Sequence, residues 1–527
     1  MIRNSKYIYS DEVIDVPSHL HAGRYFIDSL HAFGDRVALT NGEKHTSITY
    51  AEIVRDAMSI AVSLTRMGVK RGETVGVCME TRVEYWPIVI GASCTGAAIN
   101  PFNIGYTADE LKHVLNITKP KYMICSEIAY KLHSGTFKTM QFIETTITIG
   151  GSGQTTYEDL LKNEINYADF DVVDVDGKND SLFVLFSSGT TGLPKGVMQT
   201  HLNVISICSL KNALNTNDRT LFITPWYHTM GLLGVLRYLQ TGCDMVFLPK
   251  YETNLYLRTI ERYKIKQLLL APPVLVATSK SKAKYDVSSV IFIYSGAAPL
   301  RKDTIEDAKK KFINLKAVTQ GYGMTETTLA IIRDTYEKAH LAKPGGVGFV
   351  VSGCVVKVID IETGKVLGPN EPGEIRVKGP AVMKGYIGKD ISEDFDEEGF
   401  YKTGDIGYYD DDKYFFIVDR LKELIKYKGY QVPPAEIEAV LLQHPAILDA
   451  GVAGVPHPAG ELPRAFVVLQ PGASVSEADI HGFIAEKLSD PKHLRGGIRF
   501  VNEIPKNPSG KILRRKLKEM VLERSKL

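Results

Sequence analysis

The chain has 527 residues, with 63 Lys plus Arg against 61 Asp plus Glu, a formal net charge of +2 and 44% apolar residues. That composition supports a sizeable core and roughly two to four domains, and it excludes intrinsic disorder and collagen-like repeats. Near-neutral charge gives no global electrostatic case for nucleic acid or an anionic membrane, so any phosphate chemistry must come from local arrangements.

The opening Met1-Ile2-Arg3-Asn4-Ser5-Lys6 lacks the apolar stretch of a secretory signal, and no window reaches 18 uninterrupted apolar residues. The expectation is neither export nor a membrane span. Residues 37 to 150 alternate β-branched runs with helical patterns: Val75–Met79 reads as a buried strand and the stretch from Glu84 as a helix. The alternation continues through strands at Ser181–Phe186, Thr220–Thr224, Gln267–Ala271 and Val290–Tyr294, each ending in a Gly, Pro or Ser cluster. This is α/β layering, with chemistry expected at the carboxyl edge of the strands. From about residue 340 the strands Glu374–Lys378 and Tyr414–Val418 follow without intervening helices, which predicts a small β-barrel-like subdomain. After Asp419-Arg420 come a helix at Ala435–Gln443, strands at Ala446–Val455 and Ala465–Gln470, a helix at Glu477–Leu488 and a strand at Gly497–Val501, an independent α+β domain. The predicted division is 1–419 and 420–527. The six cysteines sit among apolar neighbours with no C-x-x-C pair and read as buried reduced thiols. Ser525-Lys526-Leu527 is the peroxisomal tripeptide, so the import receptor is an expected partner and the peroxisome the expected location.

The densest local signal is Leu185-Phe-Ser-Ser-Gly-Thr-Thr-Gly-Leu-Pro-Lys-Gly-Val197. Gly189, Gly192 and Gly196 let backbone N–H groups approach phosphate oxygens, Ser187, Ser188, Thr190 and Thr191 add donors, and Lys195 adds a mobile charge. The pattern is not G-x-x-x-x-G-K-[ST], so this is no Walker loop; the bland alternative is a solvated hairpin loop. Gln320-Gly-Tyr-Gly-Met-Thr-Glu326 pairs two Gly with Tyr322, Thr325 and Glu326, a set able to hold an aromatic base, a phosphate and a divalent cation, or simply a turn with an exposed Glu. Asp405 in Thr403-Gly-Asp suits the two hydroxyls of a ribose, or a surface turn. Arg420, Lys422, Lys426 and Lys428 fall within nine residues at the domain boundary, either a solvated face or a hinge beside an anionic site. Lys511 lies in a tail with eight Lys or Arg against two Glu from 506 to 527, where a lysine is most often solvated.

Ser187 to Gly196, together with Pro225-Trp-Tyr-His228, Ser295-Gly-Ala-Ala-Pro299, Gln320 to Glu326, Tyr401-Lys-Thr-Gly-Asp405, Asp419 to Gly429 and Pro508-Ser-Gly-Lys511, resembles the adenylate-forming acyl-CoA synthetases that include 4-coumarate-CoA ligases and beetle luciferases. The resemblance covers essentially the whole chain. It implies an ATP or AMP site at Ser187, Ser188, Gly189, Thr190, Thr191, Lys195, Ala298, Gln320, Gly321, Tyr322, Thr325, Asp405, Arg420, Lys422, Gln431 and Lys511. Mg²⁺ would lie toward Glu326 and Thr191, and coenzyme A near Lys428 and Gly429. Lys511 resembles the lysine that bridges the carboxylate and the α-phosphate as the acyl-adenylate forms, Lys426 one that faces the nucleotide during thioester formation, and Lys422 the pivot of a mobile C-terminal domain. His228 resembles a gate to the acyl pocket and a transition-state contact, although a lone His after a strand is more often structural.

The acyl pocket is expected near His228, Met230, Leu232, Leu233, Leu329 and Ala330, an apolar set suited to a fatty or aryl carboxylate. Leu329 stands where beetle luciferases carry a small hydroxyl residue, and His228-Thr-Met230 replaces their His-Gly-Phe. Three functions stay open: an acyl-CoA ligase, a luciferase-like monooxygenase, and a catalytically silent nucleotide-binding relative, which intact Lys511, Glu326 and Asp405 oppose.

Overall fold

The structure is a computed structural model. It describes residues 6–10, 12–14, 16–17, 19–151, 155–188, 194–211, 216–296, 300, 302–427, 430–458, 460–506 and 511–522. Three sheets organise these residues, of fourteen, eight and five strands.

In the eight-stranded sheet Thr74–Cys78, Ala98–Phe102, Tyr122–Ser126 and Thr145–Ile149 run parallel. Ser181–Ser188 joins them and turns back antiparallel into Pro194–Thr200. In the largest sheet Val37–Asn41, Asp244–Phe247, Arg219–Phe222, Gln267–Leu270, Phe292–Ser295 and Ala317–Gly323 are parallel neighbours. The strands expected as a separate β subdomain continue this same sheet antiparallel, beginning where Ala317–Gly323 pairs with Ala330–Arg333 and running out to Gly373–Lys378, Tyr401–Tyr409 and Phe415–Arg420.

Between the two large sheets lies the helix Tyr85–Ser93, buried along its whole length because it is apolar all round. A Cβ on Gly91 would come within 2.6 Å of the Ala57 carbonyl oxygen, so this helix and Tyr50–Arg66 meet at a glycine that no larger residue replaces. Its Tyr85 and Trp86 rings meet Trp226 at 5.3 and 5.1 Å, and the Tyr85 hydroxyl donates to the Trp226 carbonyl at 3.0 Å. That packing pins the loop leading to His228.

Past Arg420 the chain builds the five-stranded sheet from Ile425–Tyr427, Tyr430–Val432, Ile447–His457, Gly460–Leu469 and Ile498–Phe500. The helices Pro434–Leu441, Glu477–Lys487 and Arg514–Leu522 accompany it. Arg514 ties this unit to the segment after Arg420, donating to Glu423 at 2.7 Å and to Glu438 Oε2 at 3.0 Å. All six cysteines are buried free thiols. Among the described residues no helix is long and apolar enough to cross a membrane.

Candidate active site

The hairpin of Ser181–Ser188 and Pro194–Thr200 sets Lys195 opposite Ser187. The Ser187 hydroxyl donates to Glu326 Oε1 at 2.8 Å, and the Tyr386 hydroxyl donates to the same oxygen at 3.0 Å. Lys195 Nζ stands 5.2 Å from the centre of the Tyr386 ring. Burial, helped by the Glu326 carboxylate, raises the Tyr386 phenol, which keeps it a donor. Tyr386 carries no sequence signal: it sits on the two-residue strand Gly385–Tyr386, whose pairing with Pro194–Thr200 brings it to the site.

Glu326 is presented by a tight turn. The Thr325 carbonyl accepts from the Gln199 amide at 2.9 Å, and the Thr325 and Thr229 hydroxyls lie 3.2 Å apart. Thr328 adopts φ 64°, a left-handed conformation costly for a β-branched residue, held by its hydroxyl donating to Ala381 O at 2.6 Å. A Cβ on Gly323 would lie 1.9 Å from the Leu329 carbonyl oxygen. The glycine is therefore required for the turn.

A second corner forms where Asp405 and Arg420 face each other across two antiparallel strands. Arg420 Nε lies 3.3 Å from Asp405 Oδ1, and the Tyr322 hydroxyl donates to Oδ2 at 2.8 Å. Burial raises the Asp405 carboxyl, with Arg420 opposing. Gln320 uses its side chain internally: Oε1 accepts from Leu300 N–H at 2.9 Å and Nε2 donates to Gly346 O at 3.1 Å, so it braces the floor of the site. Gly321 gives that floor room for Tyr294, whose hydroxyl would lie 2.0 Å from a Cβ there. His228 starts the helix Thr229–Leu239, its ring 4.7 Å from that of Tyr227, and burial lowers its pKa. Met230 and Leu329 are half-buried and pack against the core cluster in which Leu232 and Leu233 are 0% exposed. Ala330 begins the strand Ala330–Arg333.

Residues 26–387 match the AMP-binding enzyme family and residues 436–511 its C-terminal domain. The chain belongs to that family. Its relatives among the adenylate-forming enzymes include Luciferin 4-monooxygenase of Nipponoluciola cruciata, 41% identical over 92% of this chain and 91% of the relative. They also include Probable 4-coumarate–CoA ligase 1 of Dictyostelium discoideum, 37% identical over 92% of each chain. The crystal structure of ATP-bound MatB from Rhodopseudomonas palustris superposes with a TM-score of 0.86 at 29% identity, over 95% of this chain and 99% of that one.

In this AMP-binding enzyme the lysines after Arg420 divide. Lys511 is half-buried beside Arg420, Glu423 and Asp405, and burial together with the Arg420 charge pushes its pKa down to about 8. Lys426 is exposed, its backbone N–H donating to Glu461 at 3.2 Å, and Gln431, its register partner, is exposed too. Lys422 is exposed in the turn closed by Glu423 and Leu424 N–H groups donating to Arg420 O. The structure thus brings Lys511, and not Lys426, to the Asp405 corner. Gly189, Thr190, Thr191, Ala298, Lys428, Gly429 and Ser525-Lys526-Leu527 lie outside the described residues, as does the Ser188 side chain. Among the described residues no group of three or more acidic, His or Cys side chains could cage a metal. Glu326 nevertheless suits Mg²⁺ of the phosphate-bridged kind: both hydroxyl donors bond Oε1, which leaves Oε2 for the ion.

Proposed function

We propose that the chain ligates a carboxylic acid with an apolar body, fatty or aryl, to coenzyme A through an acyl-adenylate. The observation that carries this reading is the position of Lys511, half-buried at the Asp405–Arg420 corner while Lys426 faces solvent. Asp405 accepts the ribose hydroxyls and Lys195 reaches the outer phosphates. Glu326, held by Ser187 and Tyr386, would bind Mg²⁺, which supplies charge neutralisation on the phosphates. The acid's oxygen attacks the α-phosphorus, the bond to the bridging oxygen breaks, and diphosphate leaves. Two anions must meet, so the chain's contribution is positioning and neutralisation, with the Lys511 ammonium between carboxylate and α-phosphate. In the second step the thiol sulfur attacks the acyl carbon, the bond to the AMP oxygen breaks, and AMP departs. With its apolar edge and lowered pKa, His228 is a neutral gate beside the acyl carbon.

The test is coenzyme A-dependent AMP release over a panel of fatty, cinnamic and luciferin acids. Release that requires both an acid and coenzyme A supports the reading. Acid-dependent exchange of labelled diphosphate into ATP with no thioester limits the chain to adenylation.

The luciferase relative at 41% identity favours a second reading, in which O₂ attacks the α-carbon of the adenylate with light emission. Leu329 and Met230 stand against a beetle-type luciferin in this pocket. Light on mixing with ATP, Mg²⁺ and luciferin decides it.

A further inference from the structure

Phe415–Arg420 is the last strand that the chain gives to the largest sheet, and Asp419 lies near its end, 7% exposed. Its Oδ1 accepts from the Arg420 N–H at 2.7 Å, and its Oδ2 accepts from the Ala435 N–H at 2.9 Å. The first bond is local. The second reaches past the turn at Lys422 into the helix Pro434–Leu441, so it joins the large sheet to the C-terminal unit. Burial pushes the Asp419 carboxyl up to about 6, with the Arg514 charge and these two N–H groups opposing, so at neutral pH it carries its charge.

That helix has no side-chain cap of its own. Its N-cap is Pro433, whose ring offers no acceptor, and Pro434 follows without an N–H, so Ala435 carries the first backbone donor of the helix. Asp419 supplies the acceptor that a Ser or Asp at position 433 would ordinarily give, and its charge suits the positive end of the helix. The neighbouring charges are tied differently. Arg514 donates to Glu423 at 2.7 Å, to Glu438 Oε2 at 3.0 Å and to Val452 O at 3.0 Å, and Lys511 lies in the field of the same Glu423 and Arg514. Glu423, Glu438, Arg514 and Lys511 all follow Lys422 in the chain and move as one group when the C-terminal unit turns there. Asp419 precedes it and stays with the sheet.

We propose that Asp419 is a positioning residue for Lys511: by capping the helix Pro434–Leu441 from the large sheet it docks the C-terminal unit in the arrangement that presents this lysine. The inference rests on the ligase reading above, in which Lys511 serves the first step and Lys426 the second. Any rotation that pivots between Arg420 and Pro433 parts Asp419 from Ala435 while leaving the Arg514 group whole. The cap therefore exists in one arrangement only, and a group that contributes to one of two states shifts the balance between them. Losing Asp419 weakens the arrangement for adenylation and spares the other.

The test must separate docking from mere helix stability. Asp419→Ala is compared with the same chain carrying Pro433→Ser as well, since a serine at the N-cap gives the helix a local acceptor and no tie to the sheet. The full chain is followed in acid-dependent exchange of labelled diphosphate into ATP, and in thioester formation from preformed acyl-adenylate and coenzyme A. In Asp419→Ala the kcat for exchange should fall about tenfold with thioester formation within about twofold of the unaltered chain; in the double variant the denaturation midpoint should recover and exchange should not. Asp419→Asn keeps an oxygen for the Ala435 N–H, should lose about threefold in exchange, and replaces the alanine variant in both arms if that chain does not fold. Equal losses in the two steps overturn the proposal, as does exchange that recovers together with the midpoint, and either result leaves the ligase reading standing. If the unaltered chain exchanges diphosphate but forms no thioester, the ligase reading loses its second step and the double variant alone decides the docking. No exchange by the unaltered chain with any fatty or aryl acid overturns both.

Discussion

Arg420 and Asp405 occupy register positions of adjacent antiparallel strands, with the guanidinium 3.3 Å from the carboxylate. The acid we propose for the ribose is thereby coupled to the residue at which the chain leaves the large sheet for the C-terminal unit.

That coupling predicts an acid limb in ATP binding. Burial raises the Asp405 carboxyl, so it takes up a proton at a higher pH than an exposed aspartate, and protonation removes an acceptor for ribose hydroxyls. The KM for ATP should therefore rise as pH falls through the raised pKa. In Arg420→Gln the opposing charge is gone and the rise should begin at still higher pH. Asp405→Ala should raise the KM for ATP by about ten- to a hundredfold at neutral pH. An ATP KM in Arg420→Gln that follows pH as the unaltered chain does would break the link.

Lys511 gives the alkaline counterpart. Its pKa of about 8 comes from burial first and then from Arg420. The ammonium is present below that value and lost above it, so acid-dependent diphosphate exchange should fall as pH rises through about 8, well before an ordinary lysine deprotonates. The limb should appear in kcat/KM, which reports the free enzyme, and move upward in kcat, where bound phosphates favour the charged amine. Lys511→Arg keeps its charge throughout and should abolish the limb even where it slows the reaction. A profile flat to pH 10 in the unaltered chain would remove Lys511 from this role.

Lys511 is at the Asp405 corner while Lys426 is in solvent, so the two roles we propose for them need the C-terminal unit to turn between steps. Turning the C-terminal unit requires a dihedral change near Lys422, and proline there fixes φ. Lys422→Pro should leave diphosphate exchange within about threefold of the unaltered chain and slow thioester formation by about a hundredfold or more. Equal losses in both steps would place the pivot elsewhere.

How far the sequence reaches depends on whether a residue's partners are local. Ser187 and Lys195 are readable as phosphate-site candidates because the glycines and hydroxyls that point to them lie within ten residues of sequence. Asp405, Glu326 and Lys511 were found through family resemblance, each having a bland reading on its own. Tyr386 escaped, since its contact with Glu326 depends on a strand pairing nearly two hundred residues distant in sequence. Leu232 and Leu233 suit the acyl pocket on composition, and the structure buries both in the core cluster against which Met230 packs.

Gly323 offers a test of the turn itself. A Cβ there would sit 1.9 Å from the Leu329 carbonyl and 2.7 Å from Ala330 Cα, both backbone atoms that no rotamer change moves. Gly323→Ala must therefore push apart the strands Ala317–Gly323 and Ala330–Arg333, whose connection carries Thr325, Glu326 and Leu329. Overpacking of this kind costs about 1–3 kcal/mol, a clear drop in the denaturation midpoint. The displaced Glu326 should also separate from Ser187 and Tyr386, so the Mg²⁺ concentration giving half-maximal exchange should rise while the KM for acid, which we propose is set beyond the turn at Met230, changes less. Gly135→Ala, in the helix Glu127–Thr139 where a Cβ meets nothing within 4 Å, is the control for an unobstructed glycine replacement. A Gly323→Ala chain as stable and as responsive to Mg²⁺ as that control would show that the turn does not govern the carboxylate.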